Sequence, residues 1–213
     1  MFDIETTGQY RNIEELKIND IRGYNLFSQK YKKYNWEDKY ANIETAYLEE
    51  SPIISTYGRI VCISFGYLDN GQERISSFYG DDEREIVEKF NNLLKKIESK
   101  SFKLGGYRIL YFDIPWILHK LYKYNIKPAN IITLHNKKPW ETRIVDISDD
   151  WKIRFAYTSS FDEVVYELGI ESPKDNMNGS DVHDAYWKGR VEEVKIYCEK
   201  DVKASIRVSQ VIY

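Results

Sequence analysis

The chain has 213 residues, 42% hydrophobic and 31% charged, with 11 Gly and 5 Pro. That composition excludes a disordered, collagenous or low-complexity polypeptide, and the length suits one domain better than two. With 31 Lys+Arg against 34 Asp+Glu and a net charge of −3, a polybasic wrapper of long nucleic acid is excluded, but an enzyme holding a few nucleotides is not.

Read as a strand, Met1-Phe2-Asp3-Ile4-Glu5-Thr6-Thr7-Gly8 places Asp3 and Glu5 on one face and Phe2 and Ile4 on the other. Only two residues precede Asp3, so this strand is expected to begin upstream of Met1. From about residue 9 to 57 the sequence turns polar and tyrosine-rich. Ile13, Leu16, Ile18, Ile21 and Leu26 recur there at spacings closer to helix than strand, which predicts a helical or irregular insertion.

Arg59 to Leu68, the turn signal Asp69-Asn70-Gly71 and Glu73 to Tyr79 predict a β-hairpin. Asp81-Asp82-Glu83 opens a helix to about Lys100, with Ile86, Val87, Phe90, Leu93, Leu94 and Ile97 as its apolar stripe. A short strand is expected over 102–106, then a helix from Asp113 with Pro115 in its first turn, then a strand over 142–146. Ser160 is a predicted cap for a helix over 161–168 closed by Gly169, and Val191 to Val211 is the last and longest helix. This order predicts one α/β domain over 1–213: a mixed β-sheet flanked by helices, interrupted by the insertion.

Cys62 and Cys198 lie far apart in sequence with no CxxC or His companions, which fits a reducing compartment. The apolar runs are strand-sized, so no membrane span or signal peptide is expected and the location is read as cytoplasmic.

Three acidic features stand out: Asp3 with Glu5, Asp113 at a helix start, and Tyr197 with Asp201 four residues apart on one helix face. Taken singly, these are ordinary: a solvated strand face, a helix cap, surface decoration. Gathered together, four carboxylates without basic partners would repel unless divalent cations neutralised them. Oxygen-only ligation then implies Mg²⁺ or Mn²⁺.

In that order, Phe2-Asp3-Ile4-Glu5-Thr6, the stretch Gly106-Tyr107-Arg108 through Phe112-Asp113-Ile114-Pro115-Trp116, and Tyr197-Cys198-Glu199-Lys200-Asp201 resemble the three motifs of the DEDD (DnaQ-like) superfamily of 3′–5′ exonucleases. The third resembles its tyrosine (DEDDy) subclass, since Ile196 stands where the other subclass carries His. Lys138-Pro139-Trp140-Glu141, Leu168 to Asp175, and Gly179 to Val182 with Tyr186-Trp187 are similar to segments of bacterial stand-alone proteins related to the exonuclease domain of family B DNA polymerases. The likeness covers residues 1–8 and about 57–212.

The resemblance implies a ribonuclease H-like fold and a 3′–5′ exonuclease with two divalent cations, Mg²⁺ or Mn²⁺, acting on the 3′ end of a nucleic acid. Single-stranded DNA is favoured over RNA, in repair or nucleic-acid maintenance. It implies Asp3, Glu5, Asp113 and Asp201 as metal ligands, with Asp3 bridging both ions, Tyr197 orienting the attacking water, and Thr6 with its nearby backbone against the terminal nucleotide. One departure stands out: Arg108 replaces an Asn that related proteins usually carry near the site, and it either contacts a phosphate or points outward.

Phe112 and Trp116 flank Asp113 and offer rings to a frayed base, although Trp116 reads better as core. Asp146 is either a support at the substrate edge or merely the last residue of a strand. His119, His135 and His183 match no ligand spacing and read as structural or surface residues. A module that keeps the fold but binds nucleic acid or protein without catalysis is the competing reading, motivated by Arg108, the acidic excess and the Tyr-rich insertion.

Overall fold

A computed structural model describes residues 1–138, 141–153, 158–173 and 177–213. Strand β1 (Phe2–Gly8) leads into the polar, Tyr-rich stretch, which forms helices α1 (Ile13–Asn19), α2 (Ile21–Lys33) and α3 (Ile43–Glu50). Asn12, Asp20 and Asn42 open these helices, each accepting a backbone N–H with its side chain. The tyrosines of this stretch build a local aromatic core. Phe27 is fully buried, with its ring centroid 5.3 Å from that of Tyr47 and 5.1 Å from that of Tyr57, both edge-on.

Strands β2 (Gly58–Asp69) and β3 (Gln72–Tyr79) form the expected hairpin. Asn70 and Gly71 both take positive φ, 50° and 80°, as a two-residue hairpin turn requires. β1 pairs antiparallel with β2, but the register slips between Glu5 and Thr6, leaving Val61 as the extra residue of a bulge. The bulge breaks alternation on β2. Ile60 and Ile63 face one side of the sheet, and Val61 and Cys62 the other.

Helix α4 (Glu83–Ile97), capped by Asp82, precedes β4 (Leu104–Gly106) and α5 (Asp113–Lys123). β5 (Ile144–Asp146) pairs parallel with β4, and α6 (Ile147–Lys152) follows it. Ser160 and Glu163 form a reciprocal capping box on α7 (Phe161–Glu167), and Gly169 follows at φ 65°. The chain ends in α8 (Val182–Trp187) and α9 (Val191–Ile212). Residues 139–140 of one recurrent segment and 174–175 of another lie outside the described residues.

Helices cover both faces of the β1–β3 sheet. Phe2, Ile4, Ile60 and Ile63 pack with Phe90 and Leu94 of α4 and with Ile114, Trp116 and Ile117 of α5. Val61 and Cys62 pack with Val182 and Tyr186 of α8 and with Val194, Tyr197 and Cys198 of α9. The expectation of one continuous mixed sheet needs correction: among the described residues, β1–β3 and β4–β5 are separate hydrogen-bonded sheets.

The physical reason lies on the outer edge of β1. Met1 and Gly66 exchange both backbone hydrogen bonds, so alternation turns the Ile4 N–H away from β2, and it donates to Asp113 Oδ1 at 3.0 Å instead of to a neighbouring strand. Gly106 approaches so closely that a Cβ on it would stand 2.6 Å from the Phe2 carbonyl oxygen. No helix among the described residues is long and apolar enough to cross a membrane.

Candidate active site

Asp3 and Glu5 share one face of β1, opposite Ser64 and Cys62 in register, and α9 packs across that face. Helical spacing puts Tyr197, Cys198 and Asp201 on the side of α9 that meets it. The Cys198 thiol lies 3.4 Å from Asp3 Oδ2 and 3.5 Å from the Asp3 carbonyl oxygen, and it also bonds to Cys62. One ligand-type atom each of Asp3, Glu5 and Cys198 falls within 4.8 Å of the others, while Asp113 and Asp201 stand outside that group. Asp113 enters from the first turn of α5, tied to β1 through Ile4 N.

Glu5 is 7% and Asp113 3% exposed, and among the described residues no Lys or Arg forms an ion pair with Asp3, Glu5 or Asp113. Burial first, then the charges of Asp113 and Asp201, push the Asp3 carboxyl well above the usual range. Burial, then Asp3 and Asp201, does the same to Glu5. Burial lifts Asp113 to about 8 despite the Ile4 hydrogen bond, with Asp146 and Asp201 adding to the shift. The Tyr197 phenol is pushed up by burial and then by Glu5, Asp201 and Asp3, and it hydrogen-bonds Asp201. The Cys198 thiol is likewise held protonated, chiefly by burial.

Asp3, Glu5 and Asp113 are thus buried acids acted on by neighbouring carboxylates, with no Lys or Arg paired to them among the described residues. The donor set fits hard divalent cations. A family model described as a predicted 3′–5′ exonuclease related to the exonuclease domain of PolB matches residues 52–206. The chain belongs to this exonuclease family. No curated protein matches it. The span shared with the exonuclease family contains Asp113, Tyr197 and Asp201, whereas Asp3 and Glu5 come from β1, outside that span.

The remaining candidates of this exonuclease-family chain occupy distinct places. The Thr6 hydroxyl donates to the Pro52 carbonyl and ties β1 to the end of the Tyr-rich stretch. Asp146 is buried; its carboxylate accepts from Arg108 N, Leu110 N, Ser148 N and Ser148 Oγ at 2.7–3.0 Å, and so fixes the loop that leads to Asp113. Arg108 sits exposed on that loop at φ 58°. Phe112 is half-buried against Trp116, ring centroids 5.7 Å apart, and Trp116 is core.

Two contacts escaped sequence reasoning. Cys198 has no companion in the sequence around it, yet it meets Asp3 and Cys62; its place three residues before Asp201 on the same helix is the available signal. His183 Nδ1 accepts from Gly8 N at 3.2 Å and lies 2.8 Å from Thr7 Oγ1, while Nε2 donates to the Arg11 carbonyl at 2.9 Å. It links α8 to the end of β1, and burial lowers its pKa. Nothing in its sequence surroundings marks that role.

Proposed function

We propose that the protein is a metal-dependent 3′–5′ exonuclease that removes nucleotides from the 3′ end of single-stranded DNA, in repair or nucleic-acid maintenance. In this reading residues 1–213 form one ribonuclease H-like domain, β4 and β5 extend the layer of β1–β3, and residues 9–57 are an insertion. The observation that carries it is the burial of Asp3, Glu5 and Asp113, whose pKa values are raised by burial and by the carboxylates near them, Asp201 among these, with no cationic side chain paired to the three among the described residues. Such a cluster is costly unless bound cations neutralise it.

Two divalent cations, Mg²⁺ or Mn²⁺, would be held by Asp3, Glu5, Asp113 and Asp201, with Asp3 shared. Held by these carboxylates, the ions would supply the Lewis acidity needed to activate an attacking water and to stabilise the leaving 3′ oxyanion. The protonated Tyr197 Oη orients that water. Asp146 holds the 108–110 backbone, and from that loop the Arg108 guanidinium reaches a substrate phosphate. Phe112 offers a ring to a frayed base. Because the Thr6 hydroxyl is committed to Pro52, it is the backbone beside Thr6 that lies against the terminal nucleotide.

The test compares 5′-labelled DNA and RNA oligonucleotides of one sequence, with Mg²⁺ or Mn²⁺, for wild type and Asp3→Ala. Stepwise shortening of DNA by wild type only, faster than of RNA, is expected. If neither oligonucleotide is shortened, or if Asp3→Ala shortens them equally, the proposal fails. Faster shortening of RNA would reassign the substrate.

A further inference from the structure

We propose that the outer face of α2 is a second contact for the single-stranded nucleic acid, gripping it on the 5′ side of the cleaved end. The inference rests on the nuclease reading and adds where the rest of the strand lies. Helix α2, IRGYNLFSQKYKK, carries four basic residues (Arg22, Lys30, Lys32 and Lys33) and no acidic one. This occurs in a chain of net charge −3. The other long helices are mixed: α4 has four basic and three acidic residues, and α9 has four of each.

At 3.6 residues per turn, the exposed Arg22, Lys32 and Lys33 fall within an arc of about 100° and lie about 120–140° round the helix from the buried Phe27 that anchors it, whereas the half-buried Lys30 lies only about 60° from Phe27. None of the four basic residues forms an ion pair among the described residues. Lys30, Lys32 and Lys33 lie in the last turn, where they suit the helix dipole, but no acidic residue of α2 balances them or Arg22, so the helix presents a surplus of positive charge that a polyanion can meet.

The aromatic residues beside this face point to nucleic acid. Tyr34, 55% exposed, stacks with Trp36 at 6.1 Å and 30°, and Lys30 Nζ lies 4.7 Å from the Tyr34 ring centroid. Cations interleaved with exposed rings suit phosphates and bases of a single strand. An anionic membrane would call for a broad outward apolar face, and α2 exposes only Ile21 and Leu26.

The position is also suitable. Gln9 N bonds to the Tyr57 carbonyl, and the Tyr57 ring packs on Phe27. Through Tyr57, α2 is tied to the Gly8 end of β1, the strand that carries Asp3 and Glu5.

The test measures, by fluorescence anisotropy in EDTA, binding of a labelled 20-nucleotide thymidylate strand to wild type, a Lys30→Gln/Lys32→Gln/Lys33→Gln variant and the corresponding triple Lys→Arg variant. The Gln variant should bind at least about 10-fold more weakly at 0.1 M salt, with a salt slope smaller by about 2 for three lost phosphate contacts. The Arg variant should bind like wild type, and hydrolysis of a trinucleotide should be unchanged in both. Wild-type affinity and slope in the Gln variant would overturn the inference while leaving the nuclease reading intact. So would loss of binding to phosphatidylserine vesicles alone. If wild type binds no oligonucleotide at all, the nuclease reading falls and this inference with it.

Discussion

Arg108 allows the backbone geometry of the second motif to be tested apart from catalysis. Its φ of 58° places a residue with a Cβ in the left-handed region, which costs roughly 1–2 kcal/mol and which Asn tolerates better. The loop cannot relax out of this conformation. Arg108 N and Leu110 N both donate to Asp146 at 2.9 Å, while Tyr111 N and Phe112 N return to the Arg108 carbonyl at 2.9 and 3.0 Å. Arg108→Asn should therefore stabilise the protein by about 0.5–1 kcal/mol, a rise in Tm of about 1–4 °C for a chain of this size. Arg108→Ala keeps the Cβ and should gain nothing. Arg108→Gly relieves the strain but adds unfolded-state entropy of roughly 0.5–1 kcal/mol, and should fall between them. Urea and thermal melts followed by circular dichroism measure all three. If Ala stabilises as much as Asn, the gain comes from losing the charge and the backbone argument is refuted.

Three further outcomes follow from the site. Asp146→Ala strands several buried donors and should cost about 2–4 kcal/mol in urea unfolding; a cost below about 1 kcal/mol would mean that the 108–110 loop holds itself. Asp113 carries a folded pKa of about 8 against an ordinary 3.8, so its favourable contribution is complete below pH 4 and is lost as the pH rises through 8. Without metal, Asp113→Asn should therefore gain stability over wild type between pH 5 and pH 8, and a difference that stays flat or shrinks would contradict the shift. Tyr197→Phe should lower kcat by about 10- to 100-fold with Mn²⁺ affinity unchanged, and a fall in Mn²⁺ affinity instead would make Tyr197 a support of the carboxylates.

Sequence periodicity was enough to locate the hairpin, α4, α7 and α9, because each carries a local signal: the Asp69-Asn70-Gly71 turn, the stripe from Ile86 to Leu94, the Ser160 cap, the long amphipathic run. The separation of the two sheets was not legible, since it depends on a contact between residues 109 positions apart, Ile4 N with Asp113. The polar, Tyr-rich stretch over 9–57 was legible only as helical or irregular: it is helical, but its small aromatic core, in which Phe27, Tyr47 and Tyr57 pack edge-on, falls at spacings that match no simple period. At the site, Asp3, Glu5, Asp113, Tyr197 and Asp201 were legible as residue types in a recognisable order. The burial that raises the pKa values of Asp3, Glu5, Asp113 and Tyr197, the thiol of Cys198 against Asp3 and the positive φ of Arg108 belong to the tertiary structure, and no local pattern encodes them.

The claim that the carboxylate cluster is a two-cation site is tested most directly by titrating Mn²⁺ into the protein with a nucleoside 5′-monophosphate present and counting bound ions by electron paramagnetic resonance. Two ions per chain are predicted for wild type, falling to at most one in Asp3→Asn. No bound Mn²⁺, or the same occupancy in the variant, would contradict the account.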